Sequence, residues 1–164
     1  MPIDTKPDTV VPFPTKETRK PSSTEVIWGK EVLRHGYTAV PSILIRAQRR
    51  LGINAMQLNI VLQLLDYWID PGRRPFPSKK DIADRIGVTG KTIQINIRAM
   101  EQAGLIKREL RKTKAGDWNS NIYHLDGLIG RVSKLEPDFA KVREEKSKAR
   151  RAVETPAGLR ETGA

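Results

Sequence analysis

Residues 78–98 read SKKDIADRIGVTGKTIQINIR, two short amphipathic patterns joined by little more than Gly87-Val88-Thr89. Ser78 is placed to cap a first helix, with Asp81 three residues on as its reciprocal partner. Ile82, Ala83 and Ile86 give that helix its apolar face, and Gly87 suits the left-handed turn that ends it. Thr89 caps a second helix that Gly104 ends. With Ile93 set at zero and about 100° per residue, Ile97 and Met100 fall within roughly 40° of it and form the buried stripe. Lys91, Gln94, Ile95, Arg98 and Gln102 fall roughly 100–200° away, on the opposite side. A helix anchored by one stripe can lay its other side in the DNA major groove, which is wide enough to admit it.

The flanks complete a pattern. Upstream, Asn54 and Gln57 form a capping box, and Ile53 and Leu58 a hydrophobic staple, for a helix whose stripe is expected at Leu58, Val61, Leu62, Leu65, Trp68 and Ile69. Asp70-Pro71-Gly72 stops it. Before it, SILIRAQRRLG is expected to be one helix of about three turns, capped by Ser42 and ended by Gly52. Downstream, KRELRKTKAGDWNSNIYHL reads as a hairpin with strands at 105–111 and 121–125 and with Tyr123 and Leu125 facing inward. The order helix, helix, helix, tight turn, helix, two-stranded hairpin is a mainly α fold with a small β-hairpin, the plan of a winged helix-turn-helix.

Charge points the same way. The chain has 164 residues and a formal charge of +11, from 30 Lys and Arg against 19 Asp and Glu. Between Pro71 and Lys114 there are twelve basic and four acidic residues, so most of the excess lies in the expected binding unit. Such an excess suits a polyanionic partner. Lys91 and Arg98 suit phosphate or guanine, Gln94 offers a donor and an acceptor to adenine, and Ile95 suits a thymine methyl. Thr89, Gly90 and Thr92 let the helix N-terminus approach phosphate. Asn96 lies on a flank. Ser78, Lys79 and Lys80 open the bracing helix, and Arg111, Lys112, Lys114 and Trp118 lie around the hairpin tip, where they would grip the backbone or a minor groove. The bland reading of each is a cap or a solvated surface.

Residues 1–24, with four prolines, read as a disordered arm, residues 25–127 as the winged helix, residues 128–154 as a helical extension and residues 155–164 as a disordered tail. In the extension Leu128, Val132, Leu135, Phe139 and Val142 recur at helical spacing, and Pro137 is expected to break or kink it. That stripe would pack back on the domain or pair with the same stripe of a second chain, making a homodimer. The chain has no cysteine, which excludes disulfides and thiolate metal sites. His35 and His124 stand alone, and no phosphate loop, nucleophile elbow or supported carboxylate pair occurs. The reading is therefore a non-enzyme without cofactor or metal. No apolar run approaches a membrane span, and the first twenty residues lack the pattern of a secretory signal, so the cytoplasm is expected, with association to the nucleoid when bound.

YTAVP, LNIVLQLLDYW, PFPSKKDIADRIGVTGKTIQINIRAMEQAGLI and SNIYHL carry a resemblance. From Gly36 to about Ile129 the chain resembles a bacterial winged helix-turn-helix domain family found in phage- and plasmid-encoded replication proteins and transcriptional regulators. The resemblance implies binding of double-stranded DNA, with recognition residues at the positions matching Thr89 to Arg98. Three functions are compatible with it: a transcriptional regulator occupying an operator, a replication initiator or accessory protein on origin repeats, and a winged helix that binds protein. Replication proteins of this kind often carry a further domain, and the short polar tail here favours the regulator.

Overall fold

The three residues expected to anchor the second helix, Ile93, Ile97 and Met100, are each 0% exposed in the computed structural model, which describes residues 20–112, 114 and 120–155. The chain divides into two compact units, residues 1–37 and 38–164. In the first, α1 (Ser23–Trp28) and α2 (Lys30–Leu33) meet at Gly29, whose φ of 80° favours glycine. Helix α1 starts inside the segment expected to be disordered, because Ser22 and Glu25 cap it reciprocally. The rest of that arm, residues 1–19, and the tail from residue 156 lie outside the described residues.

The second unit holds α3 (Ser42–Arg46), α4 (Gln48–Leu51), α5 (Ala55–Tyr67), α6 (Lys79–Ile86), α7 (Gly90–Gln102), β1 (Lys107–Glu109), β2 (Ile122–His124) and α8 (Asp126–Glu154). Two expectations about its entry are corrected. The segment 42–51 is two short helices, because the chain turns at Ala47 (φ −100°, ψ 14°), a buried alanine whose small side chain lets the backbone sit close to the core. Ser42 is the first helical residue rather than the cap, and Pro41, with no side-chain hydrogen bond to offer, holds the cap position. Gly52 ends α4 in the left-handed region, as expected.

Helix α5 has the Asn54–Gln57 capping box, with bonds of 2.8 and 3.0 Å. Its buried side differs from expectation. Gln57, Ile60, Val61 and Leu64 are buried, whereas Leu58, Leu62, Leu65 and Trp68 are only half-buried and Ile69 is exposed. Apolar residues surround α5 on most sides, so periodicity does not choose among them; contact with α6 and α7 does.

Ser78 and Asp81 close a capping box on α6, and Gly87 ends it at φ 80° and ψ 37°. The hydroxyl of Thr89 accepts from the Thr92 N–H and starts α7. Strands β1 and β2 pair antiparallel, Arg108 opposite Tyr123. Both are three residues long, shorter than expected, because Leu105 and Ile106 run into the core before the ladder begins. Tyr123 and Leu125 are 0% exposed. The N–H of Tyr123 also donates to the Pro75 carbonyl at 2.9 Å, which ties the loop before α6 to the hairpin.

Helix α8 runs unbroken for 29 residues, with Pro137 inside it. Pro137 is exposed, about 180° round the helix from Leu128 at 100° per residue, so the Ser133 carbonyl it leaves unbonded faces water. Leu128 is buried, and Val132 and Leu135 pack on the same core. Arg46 of α3 lies 5.1 Å over the ring of half-buried Phe139. From Lys141 to Arg151 every residue is exposed, so α8 overruns the domain. Its start is held tightly. The Leu128 N–H donates to the Leu105 carbonyl at 2.7 Å, and Arg131 donates to the Ala103 carbonyl.

A Cβ built on Gly127 would lie 2.0 Å from the Gly104 carbonyl oxygen, whereas one on Gly130 would meet nothing within 4 Å. Gly127→Ala is expected to destabilise by about 1–3 kcal/mol or more, as overpacking does. Gly130→Ala should stabilise by up to about 1 kcal/mol, since alanine favours helix. Urea unfolding of the two variants measures the contrast. A second outcome concerns acid. The Ser78 side chain, then its backbone N–H, hold the Asp81 carboxyl below its ordinary value of 3.8. A lowered folded value gives stability that is complete above pH 3.8 and is lost as the pH falls through the folded value. Unfolding curves of wild type and Asp81→Asn should therefore be well separated at neutral pH and converge as the pH falls below that value.

Candidate nucleic-acid interface

Because Ile93, Ile97 and Met100 are sealed in the core, the outward side of α7 is fixed. Lys91, Ile95 and Arg98 are exposed, Ile95 to 57%. Thr89 and Gly90 are exposed at the helix N-terminus, and Thr92 is half-buried against the Thr89 hydroxyl at 3.0 Å. Gln94 is half-buried, and its carbonyl oxygen accepts from Lys79 Nζ at 3.4 Å, so α6 orients the side chain that α7 presents. Asn96 is turned back, its amide donating to the Thr92 carbonyl at 2.9 Å. The structure thus brings Lys79, Lys91, Gln94, Ile95 and Arg98 onto adjoining parts of α6 and α7. It leaves Asn96 on the flank and Ser78 occupied as a cap. Lys80 is exposed on the first turn of α6.

The basic residues of 71–114 separate into two kinds. Arg74 pairs with Asp126 at 2.9 Å and Arg85 with Asp66 at 2.9 Å. Arg108 makes a two-pronged contact with Glu101, at 2.8 and 2.7 Å, while its own N–H reaches the same carboxylate at 3.2 Å. That carboxylate holds the guanidinium charged, and the contact clamps the end of α7 to β1. These arginines contribute little net charge to a partner. Lys80, Lys91, Arg98 and Lys107 make no ion pair among the described residues and are all exposed. Lys107, on β1, is a candidate that sequence reasoning passed over, although it lies in the basic run opening the hairpin. Burial pushes the Tyr123 phenol upward, so this residue stays neutral beneath the wing.

At the root of the hairpin, Arg73 lies 4.8 Å from the Phe76 ring and Arg111 lies 5.6 Å from it. Arg111 is therefore half-buried and held against the loop before α6 instead of reaching freely from a tip. Neither Arg73 nor Phe76 figured among the expected site residues. Lys112 and Lys114 are exposed. Trp118 lies outside the described residues. No cluster of His, Cys, Asp and Glu suited to a metal occurs among the described residues, and none of their helices is long and apolar enough to cross a membrane.

Comparison with known proteins agrees with this geometry. Residues 51–106 match a family model described as a helix-turn-helix domain, which spans α5, α6 and α7. Among solved structures, the chain is similar to the N-terminal domain of the DnaD protein from Geobacillus kaustophilus HTA426. The identity is 22%, over 76% of this chain and 99% of that one, with a TM-score of 0.51. It is also similar to a multiple antibiotic-resistance repressor (MarR) from Listeria monocytogenes 4b F2365, at 17% identity over 84% and 83% of the two chains and a TM-score of 0.41. A possible transcriptional regulator from Methanosarcina mazei Go1 follows, at 14% identity over 66% and 85%, with a TM-score of 0.42. At 22% identity the likeness to the DnaD domain is one of fold. No curated protein sequence matches the chain. The sealed stripe of α7, the brace of α6, the β1–β2 hairpin and the match over residues 51–106 identify the chain as one that carries a helix-turn-helix domain of the winged kind.

Proposed function

We propose that this protein binds double-stranded DNA with sequence preference and regulates transcription by occupying an operator. The observation that carries this reading is the division of α7. One side is 0% exposed at three positions, and the other presents two unpaired cations, an oriented amide and an exposed isoleucine. In the major groove, Gln94 and Ile95 would meet base edges, and Lys91 and Arg98 would meet guanine or phosphate. Lys80 beside α7 and Lys107 on the hairpin would hold the phosphate backbone on either side. Arg73 and Arg111, gripped by a ring rather than a carboxylate, keep their charge for the same purpose. A protein acting on DNA in this way would work in the bacterial cytoplasm, on the nucleoid. Duplex binding by one copy through this face does not require pairing of two copies.

Affinity for duplex DNA should fall with salt. Lys80, Lys91, Arg98 and Lys107 on phosphate, with Arg73 and Arg111, give a slope of log K against log salt of about −5.4, at about 0.9 per contact. Lys91→Glu with Arg98→Glu should lower affinity by about thirtyfold or more, since each such contact is worth about 1–3 kcal/mol, and should reduce the slope by about two. The circular dichroism of the double variant should match wild type, because both side chains are exposed. Absence of duplex binding at low salt, or binding that ignores salt, overturns the reading in favour of a protein-binding winged helix. Selection of bound duplexes from a random pool, followed by mapping on the genome, separates the two DNA roles. Promoter sites assign the protein to transcription, and repeated origin sites assign it to replication.

A further inference from the structure

Lys79 is the first residue of α6 and Gln94 lies in the second turn of α7, and their side chains meet, Nζ to Oε1, at 3.4 Å. An ammonium group has donors and no acceptor, so the end of the amide that faces it has to be the oxygen. The nitrogen end, with both of its hydrogens, is thereby turned away from Lys79. Gln94 makes no other hydrogen bond among the described residues. Both residues are half-buried, where water competes less for the contact. The Ser78–Asp81 capping box sets the backbone at the start of α6, so the ammonium is delivered to the amide from a fixed point.

The surroundings of the amide are rich in donors. At 100° per residue, Lys91 and Arg98 lie about 60° and 40° round α7 from Gln94. Both are exposed. The acceptors close by are already in use. The Thr89 hydroxyl accepts from the Thr92 N–H, the Thr92 carbonyl accepts from the Asn96 amide, and the Asp81 carboxylate accepts from Ser78. A base edge brought to Gln94 therefore meets donors. In the major groove guanine shows two neighbouring acceptors, N7 and O6, whereas adenine shows an acceptor beside an amino donor. A glutamine pairs with adenine when its oxygen and nitrogen lie together on the base edge. With Oε1 drawn to Lys79, the adenine amino group and the ammonium would compete for one oxygen. Guanine meets no such conflict, and positive charge attracts its N7 and O6.

We infer that Gln94 reads guanine and not adenine because Lys79 holds its oxygen, a choice that rests on duplex binding through this face. Residue type alone had suggested adenine. The glutamine side chain suits either base, and a lysine fifteen positions away on another helix selects between them. Lys79 is thus a positioning residue, acting through the amide rather than on the base. Removing its ammonium frees the oxygen and lets the same glutamine turn to adenine.

Duplexes bound from a random pool are compared for wild type, Gln94→Ala, Lys79→Met and Lys79→Arg in the full chain, each variant first matched to wild type by circular dichroism. The base pair that Gln94 reads is the one whose preference Gln94→Ala erases. There the wild type should favour guanine over adenine by about tenfold or more. Lys79→Met should make that preference even or reverse it, with the other positions unchanged, and Lys79→Arg should keep it, since arginine also only donates. Modified duplexes supply the second arm. At that position 7-deazaguanine, which lacks the N7 acceptor, should bind about fivefold more weakly or worse. Hypoxanthine keeps N7 and O6, lacks only the minor-groove amino group, and should bind as guanine does. The inference is overturned by a wild type that prefers adenine there, by a Gln94→Ala profile equal to wild type, or by hypoxanthine as weak as 7-deazaguanine. A Lys79→Met variant that weakens every sequence equally overturns it too, since that is the mark of a lost phosphate contact alone. In all four cases duplex binding itself stands, whereas a wild type that selects no duplex at low salt removes both readings.

Discussion

Burial of Ile93, Ile97 and Met100 is the constraint on which the rest of the molecule depends. A helix of thirteen residues has one degree of freedom that decides its use, its rotation about its own axis, and these three side chains remove it. Once they are sealed, Lys91, Ile95 and Arg98 have to face outward. The capping of α6 and α7 by Ser78 and Thr89 then sets where each helix begins, so position along the axis is fixed as well as angle. Rotation comes from apolar burial and position from hydrogen bonding, and the two are independent in origin.

The hairpin and α8 are secured to this unit by contacts of a different sort. The Glu101–Arg108 clamp joins the end of α7 to β1, the Pro75–Tyr123 bond joins the loop before α6 to β2, and the approach of Gly127 to Gly104 lets α8 start against the core. Each is a polar or close-packed contact that tolerates little displacement. The wing is thereby held in fixed relation to α7, although only three residues of each strand are paired.

Much of the helix-turn-helix was legible in the sequence because its signals are local. The capping boxes at Asn54 and Ser78, the cap at Thr89, the left-handed Gly87 and the stripe of α7 all involve residues within a few positions of one another, and all are present. The misreadings have long-range causes. The buried side of α5 depends on α6 and α7, which no pattern within 55–67 records. Pro137 does not break α8 because packing on both sides of it holds the helix while its unbonded carbonyl faces water. The candidate site shows the same division. Its outward face followed from periodicity, but the sorting of arginines did not, because Arg74 and Arg85 are held by Asp126 and Asp66, 52 and 19 residues away. Asn96, placed on a flank by its angle, is occupied by its own helix backbone.

The stacking of Arg73 and Arg111 on Phe76 bears on electrostatics as well as geometry. An arginine immobilised by a carboxylate becomes a dipole whose field dies away quickly. One immobilised by an aromatic face remains a monopole. At the base of the wing the protein has therefore fixed positive charge in place without cancelling it. A rigid monopole loses less conformational freedom when it meets an anion than a lysine on a mobile stem does, and its reach into solvent is limited only by screening over roughly a Debye length of 8–10 Å. Phe76, itself uncharged, thus governs how far the potential of this end of the molecule extends.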